Sequence, residues 1–336
     1  MIGLSFLYVT DNGGSIGIEG GKIKICHADG EFNCLPKECV QGISIFGKTQ
    51  LTFQCLQYCM ENDIPVGYFT QAGRYIGSVG GTYKTKTGRL RNQVHLSENE
   101  EFSLGLARSI LHAKVNNQLV VAKRYLKGRK NEKNKLLFHL REARRKIPVE
   151  TSVNKILGYE GIAAREYFSV LSNVIDDDFK FCKRSRKPPV DPFNCMISFG
   201  YSMLTKEIYG EIENRGMSAY IGFIHTDAEK HPALASDLVE EWRATIVDSV
   251  VLSLIQGHEI RKEMFTYEEN HNCVMSREAM KILLTKLEKR MHTEMNYLTY
   301  LKRPVTFREA LWYQADRLGK AIDKGDYTLY SPVYIR

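Results

Sequence analysis

The feature that most constrains this chain is a change of period. Up to about residue 80, short β-prone runs alternate with glycine-rich turns: Leu4 to Thr10 then DNGG, Ser15 to Glu19 then GG, Lys22 to His27, Gly42 to Phe46, Pro65 to Phe69 then QAG, Tyr75 to Val79 then GG. Runs this short and regular predict a small sandwich or barrel-like domain. One helix is expected inside it, over Leu51 to Glu61, where Leu51, Cys55, Tyr58 and Cys59 recur at helical spacing.

Residues 83–97 (YKTKTGRLRNQVHLS) are polar and aperiodic and are assigned to a linker. Beyond them the period moves to about 3.6 residues and glycines thin out. Helices are expected near 98–127, 132–146, 154–176, 192–214, 236–258, 276–299 and 306–323. The organisation predicted is therefore α+β: a β-sandwich-like domain over residues 1–82, then a larger all-α domain over 98–336.

With 43% apolar and 26% charged residues in 336, both parts can bury a core. No run approaches 18 apolar residues, and MIGLSFLYVT lacks a basic leader, so neither a membrane span nor a signal peptide is expected. The eight cysteines contain no C-x-x-C pair and several lie in apolar segments. They are read as free thiols of a reducing, cytoplasmic protein, without disulfides or zinc.

The net charge of +8 is concentrated. Lys123 to Lys146 holds eleven Lys/Arg against Glu132 and Glu142, and KFCKRSRK (180–187) adds five basic residues and no acid. The first run is interleaved with Tyr125, Leu126, Leu136, Leu137, Phe138 and Leu140, so one face can pack while the other meets phosphates. A solvated helix face gives the same pattern.

Two acidic places carry candidate chemistry. In GYEG, Glu160 lies between Gly158 and Gly161, early in a helix for which Asn154 is the expected cap. Each glycine costs a helix roughly 1 kcal/mol against alanine, a cost that often marks a close approach of the backbone to another group. Amid Ile156, Leu157, Tyr159 and Ile162, a partly buried carboxylate there wants a cation. A solvated acid beside a helix contact is the alternative. In GFIHTDAEKHPALASDLVEEWR (222–243), His225 precedes a polar loop, and Asp237, Glu240 and Glu241 share one helix face. Arg165, Arg243 or a divalent metal could relieve their repulsion, and oxygens with one imidazole suit Mg²⁺ or Mn²⁺. An acidic helix start and a structural histidine would look alike. There is no P-loop and no G-x-S-x-G elbow.

Together, NKILGYEGIAAREYF (154–168), RKPPVDPFNCMISFGYSML (186–204), GFIHTDAEKHPALASDLVEEWRATIVDSVVLSLI (222–255) and ARSILHAKVNNQ (107–118) resemble the CRISPR spacer-acquisition integrase family, as do GISIFGKTQLT and DIPVGYFTQAGRYIG in the first 80 residues. The resemblance spans nearly the whole chain. It implies metal ligands at Glu160, His225 and Glu240, with Asp237 close to the site. The implied reaction is metal-dependent (Mg²⁺ or Mn²⁺) joining of a DNA 3′-hydroxyl to a repeat phosphodiester, on spacer-precursor and CRISPR-repeat DNA. It also implies a homodimer, with the β-domain as the dimerisation surface, and a small ferredoxin-like adaptation partner. Charge then nominates Arg124, Arg141, Arg144, Arg184, Arg186 and Lys187 for DNA contacts. A repair nuclease without integration, and a non-catalytic DNA-binding module whose acids pair with Arg165 and Arg243, are the competing readings.

Overall fold

The structure, a computed structural model, describes residues 5–79, 86–126, 136–225, 229, 231–269 and 271–336. The middle of the basic run (127–135), the start of the expected linker (83–85) and most of the loop after His225 lie outside the described residues. The chain divides into two compact units, residues 1–83 and 84–336.

The first unit contains two four-stranded sheets. One has the order β1 (Ser5–Val9), β5 (Val40–Phe46), β7 (Val66–Phe69), β8 (Tyr75–Val79), and the other β4 (Phe32–Pro36), β3 (Lys22–Cys26), β2 (Ser15–Glu19), β6 (Gln50–Leu51). The β1, β5 and β7 strands run parallel. Parallel neighbours need a crossover, and helix α1 (Phe53–Glu61) supplies the one from β5 to β7. Thr52 caps that helix, accepting a hydrogen bond from Cys55 N at 3.4 Å. Ile16, Ile23, Ile43, Ile45, Val66, Cys55 and Cys59 form the core. The sequence expectation of a small sandwich is met; β4 was not anticipated, because its exposed Phe32, Asn33 and Cys34 leave no apolar alternation to read.

The second unit is mostly helical. Its helices are α2 (Thr87–Ser97), α3 (Glu100–Tyr125), α4 (Phe138–Lys146), α5 (Val153–Val174), α6 (Pro192–Glu213), α7 (Ala233–Trp242), α8 (Ser249–Gln256), α9 (Arg277–Met291) and α10 (Phe307–Lys324). Two short ribbons, β9 (Phe265–Tyr267) with β10 (Cys273–Met275) and β11 (Glu294–Met295) with β12 (Val305–Thr306), interrupt the helices. Caps place several starts: Asn99 accepts from Phe102 N at 2.8 Å, Asp191 from Asn194 N at 2.8 Å ahead of Pro192, and Thr306 with Glu309 forms a capping box. Helix α3 is buried from Phe102 to Ala122 on most of its circumference and packs against α4, α5 and α7.

Three expectations are corrected. Residues 87–97 are not linker: they form α2, pinned by Arg89, whose Nε donates to Asp323 at 2.8 Å, and by fully buried Gln93, which donates to the Ser218 and Ile221 carbonyls at 2.8 Å. Polar side chains that serve long-range bonds leave no apolar period. Helix α5 begins at Val153 after Ser152, so Asn154 is not its cap. The helix expected over 236–258 contains a π-helical turn, Arg243–Asp248, between α7 and α8. Such a turn adds a residue and rotates the following face by about 100° relative to a continuous α-helix. All eight cysteines are free, and Cys39, Cys55, Cys59, Cys195 and Cys273 are buried.

Candidate metal centre and basic surface

Helix α7 is short, amphipathic and fully buried on its acidic face: Asp237 and Glu241 expose nothing and Glu240 only 4%. Each of these carboxylates has a separate set of partners, which is how three acids on one face coexist. Asp237 turns back onto the Gly222–His225 loop. It accepts hydrogen bonds from Phe223 N at 2.8 Å, Ile224 N at 3.1 Å and His225 N at 3.1 Å, and its Oδ1 lies 2.7 Å from His225 Nδ1. Only glycine fits at 222, since a Cβ there would stand 2.8 Å from Ala233 Cβ. The Asp237 hydrogen bond raises the His225 pKa against the effect of burial; the charge of Glu240 adds to the rise and Lys114 opposes it. A carboxylate acceptor on Nδ1 leaves the lone pair on Nε2, the arrangement found behind metal-bound imidazoles.

Glu240 meets Glu160 through a residue not singled out as a site residue in the sequence. Lys114, on α3, places its Nζ 2.5 Å from Glu160 Oε1 and 2.6 Å from Glu240 Oε2. Arg243 Nη1 holds the other oxygen, Glu240 Oε1, at 2.7 Å. Burial alone would raise the Glu240 carboxyl, yet Arg243 and Lys114 hold it down at about 2. Burial likewise works against the Lys114 ammonium, but Glu240 and Glu160 outweigh it and the pKa is raised. Glu240 Oε2 is buried, and the Lys114 ammonium is its close cation among the described residues.

The predicted triad is thus gathered in part. Glu160 and Glu240 share one cation, and His225 is near enough to feel Glu240. Among the described residues no three His, Cys, Asp or Glu side chains converge tightly enough to hold a metal ion between them. The donor set nonetheless fits a hard divalent cation: carboxylate oxygens, one imidazole nitrogen, and an ammonium already standing between the two acids. Glu241, by contrast, is committed to the C-terminal segment. It accepts from Tyr330 Oη and, at 2.8 Å, from Val333 N, securing the C-terminal tail, and burial pushes its carboxyl up to about 8.

Gly158 and Gly161 do not mark a close approach among the described residues: a Cβ at either would meet nothing within 4 Å. Arg165, expected beside the acids, is exposed and lines a cleft of about 1090 Å³ with His139, Phe168, Lys183, Arg184 and Arg186. Arg184 is committed inward, donating to Asn194 Oδ1 and Ser198 Oγ at 2.9 Å each, with its guanidinium 5.5 Å from the Tyr201 ring. Arg186 and Lys187 are exposed. Arg124 donates to the Arg336 carbonyl at 2.6 Å. Arg141 and Arg144 lie near Lys123: burial and both guanidiniums lower the lysine's pKa. Crowded like charge of this kind is relieved by an anion.

The profile described as "CRISPR associated protein Cas1" matches residues 7–289. This chain belongs to the Cas1 family. It is 31% identical over 320 residues to the "CRISPR-associated endonuclease Cas1" of Mycobacterium tuberculosis, spanning 95% of this chain and 94% of that one. To "CRISPR-associated endonuclease Cas1 1" of Chlorobaculum tepidum it is 31% identical over 337 residues, covering 98% of each. The fold is that of a Cas1 protein from Thermotoga maritima (TM-score 0.79, 22% identity, 96% of this chain and 98% of that one) and of a casposase bound to integration product (TM-score 0.86, 22% identity, 96% and 93%). No helix among the described residues is long and apolar enough to cross a membrane.

Proposed function

We propose that this Cas1-family chain is the metal-dependent integrase and endonuclease of CRISPR adaptation. The observation that carries the reading is the meeting of Glu160 and Glu240 on one cation beside His225, in a chain of this family. Glu160, His225 and Glu240 would hold Mg²⁺ or Mn²⁺. Bound there, the cation would polarise a phosphodiester and stabilise charge on its oxygens.

The chain's own residues do the rest. Asp237 fixes the His225 tautomer and ring. Arg243 fixes Glu240 from the side opposite Lys114. Arg141, Arg144, Arg186 and Lys187 present cations to phosphates, while Arg124 and Arg184 spend part of their donors within the protein. In the joining reaction the 3′-hydroxyl oxygen of a short duplex forms a new P–O bond as the P–O bond to the neighbouring repeat nucleotide breaks. One phosphodiester replaces another, so no ATP is needed.

The names of the curated relatives favour a second outcome at the same site: water in place of the hydroxyl gives endonuclease cleavage. The pairing of Glu240 with Arg243 is also what a non-catalytic DNA-binding module would have. A solved structure that carries this fold is a "Cas6-RT-Cas1--Cas2 complex", which supports a Cas2-type partner for this chain; the homodimer and the ferredoxin-like fold of that partner rest on the family resemblance.

Strand transfer of a duplex with free 3′-hydroxyls into a repeat-bearing plasmid separates the three. Metal-dependent joining that is lost in His225→Ala supports the integrase. Cleavage without joining, even with the small partner present, supports the nuclease, and salt-sensitive binding alone supports the module.

A further inference from the structure

We infer that Lys114 is a resident counter-cation of the acidic site, holding Glu160 and Glu240 together in the metal-free protein and competing with a divalent cation for the same two carboxylates. The inference rests on the proposed reading of those acids as metal ligands and adds to it a built-in competitor.

Three observations carry it. First, the ammonium is within 2.6 Å of one oxygen from each acid, although the acids come from α5 and α7 and Lys114 from α3. Second, the group is almost wholly inside, its side chain only 10% exposed, so water does not screen the contact. Third, the local charges cancel: Glu160 and Glu240 against Lys114 and Arg243. Without Lys114, two carboxylates would face one another across a buried gap with Arg243 alone on the far side of one. Removing one partner of a buried ion pair leaves an uncompensated charge, and a divalent ion is the strongest available compensation. A bound metal and the Lys114 ammonium therefore oppose each other, and each weakens the other's hold by the same factor.

The test uses the full-length, metal-stripped protein, with calorimetric titration of Mn²⁺ and thermal melts in EDTA. Lys114→Met keeps the length of the stem and removes the charge. In EDTA this variant is expected to melt below wild type. Mn²⁺ is expected to bind it about tenfold more tightly than wild type, within the usual range of site-to-site coupling, and to raise its melting temperature by more. Glu160→Gln added to Lys114→Met removes a negative charge along with the positive one and should restore the EDTA melt toward wild type. Absence of Mn²⁺ uptake by wild type and by Lys114→Met alike overturns the metal reading and the competition together. Mn²⁺ uptake by wild type that is equal or weaker in Lys114→Met overturns the Lys114 inference alone. Should Lys114→Met not be recovered folded, the double variant decides: folding restored upholds the counter-cation, and a double variant that also fails to fold assigns Lys114 to packing and overturns it.

Discussion

Asp237 accepts from His225 twice, through the imidazole Nδ1 at 2.7 Å and the backbone N–H at 3.1 Å, so one carboxylate fixes both the ring and the loop that carries it. The amides of Phe223 and Ile224 fill the other oxygen. Asp237→Asn keeps the shape but offers one acceptor and an NH₂ to four donors. We expect a loss of stability of about 1–3 kcal/mol, from donors left unpaired in a buried place. On the proposed reading, Mn²⁺ affinity should fall on the order of 10–100-fold as well, because the ring is no longer held in one tautomer. Melts and a Mn²⁺ titration of the variant check both; unchanged affinity would mean His225 does not meet the metal.

Arg184 and Arg186 stand two residues apart in one basic run, yet only Arg186 faces solvent freely. Arg184→Ala should lower the melting temperature, since Asn194 and Ser198 lose their donor. Arg186→Ala should leave the melt unchanged and reduce the slope of log K against log salt for duplex DNA by about one. Fluorescence anisotropy across a salt series reads the slope. Equal effects of the two substitutions on the melt would undo the distinction.

The same contrast explains what was legible in the sequence. Turn spacing and strand alternation point to β1, β2, β3, β5, β7 and β8, and 3.6 periodicity with few glycines points to the long helices, because these signals are local. The acidic face of α7 was equally local. Lys114 was missed as a site residue because a lysine in a helix ordinarily means a solvated face. Its phase carried a signal all the same: it falls three and four residues after Leu111 and Ile110, in the buried stripe of α3. Helix α2 was mistaken for linker because its partners, Asp323 and the carbonyls of Arg215, Ser218 and Ile221, lie more than a hundred residues away.

Arg308 at the start of α10 is a second long-range clamp, distant in role from the acidic site. It meets Glu207 at 3.0 and 3.1 Å and Glu288 at 2.8 and 2.9 Å, two paired contacts to α6 and α9. Burial works against its charge, but Glu207 and Glu288 raise its pKa further. Arg308→Met removes the cation shared by two half-buried carboxylates, of which Glu288 keeps its 3.0 Å contact to His292, and should cost about 3–5 kcal/mol, the range for breaking one side of a buried pair. Urea unfolding measures it. A cost below about 1 kcal/mol would place this network with ordinary surface pairs.

Asp248 makes stability depend on pH. The π turn directs it between Tyr167 and Tyr201, which donate to its two oxygens at 2.9 and 2.6 Å. Burial pushes its carboxyl from 3.8 up to about 6; the two tyrosines, Arg184 and Arg243 pull in the opposite direction and do not fully offset it. The folded chain therefore keeps this proton to a higher pH than the unfolded chain does. Between pH 3.8 and about 6 the unfolded state binds fewer protons, so this group's contribution declines as pH rises and is level above that window. A shift of this size amounts to about 3 kcal/mol. Asp248→Asn retains an acceptor for one tyrosine and a donor for the other but cannot ionise. Subtracting its unfolding free energy from that of wild type at each pH cancels the other carboxylates. We expect the difference to move against wild type by about 2–3 kcal/mol between pH 4 and pH 7. Parallel pH curves for the two proteins would mean that Asp248 is ionised in the folded chain throughout, held so by Tyr167, Tyr201 and the guanidiniums of Arg184 and Arg243.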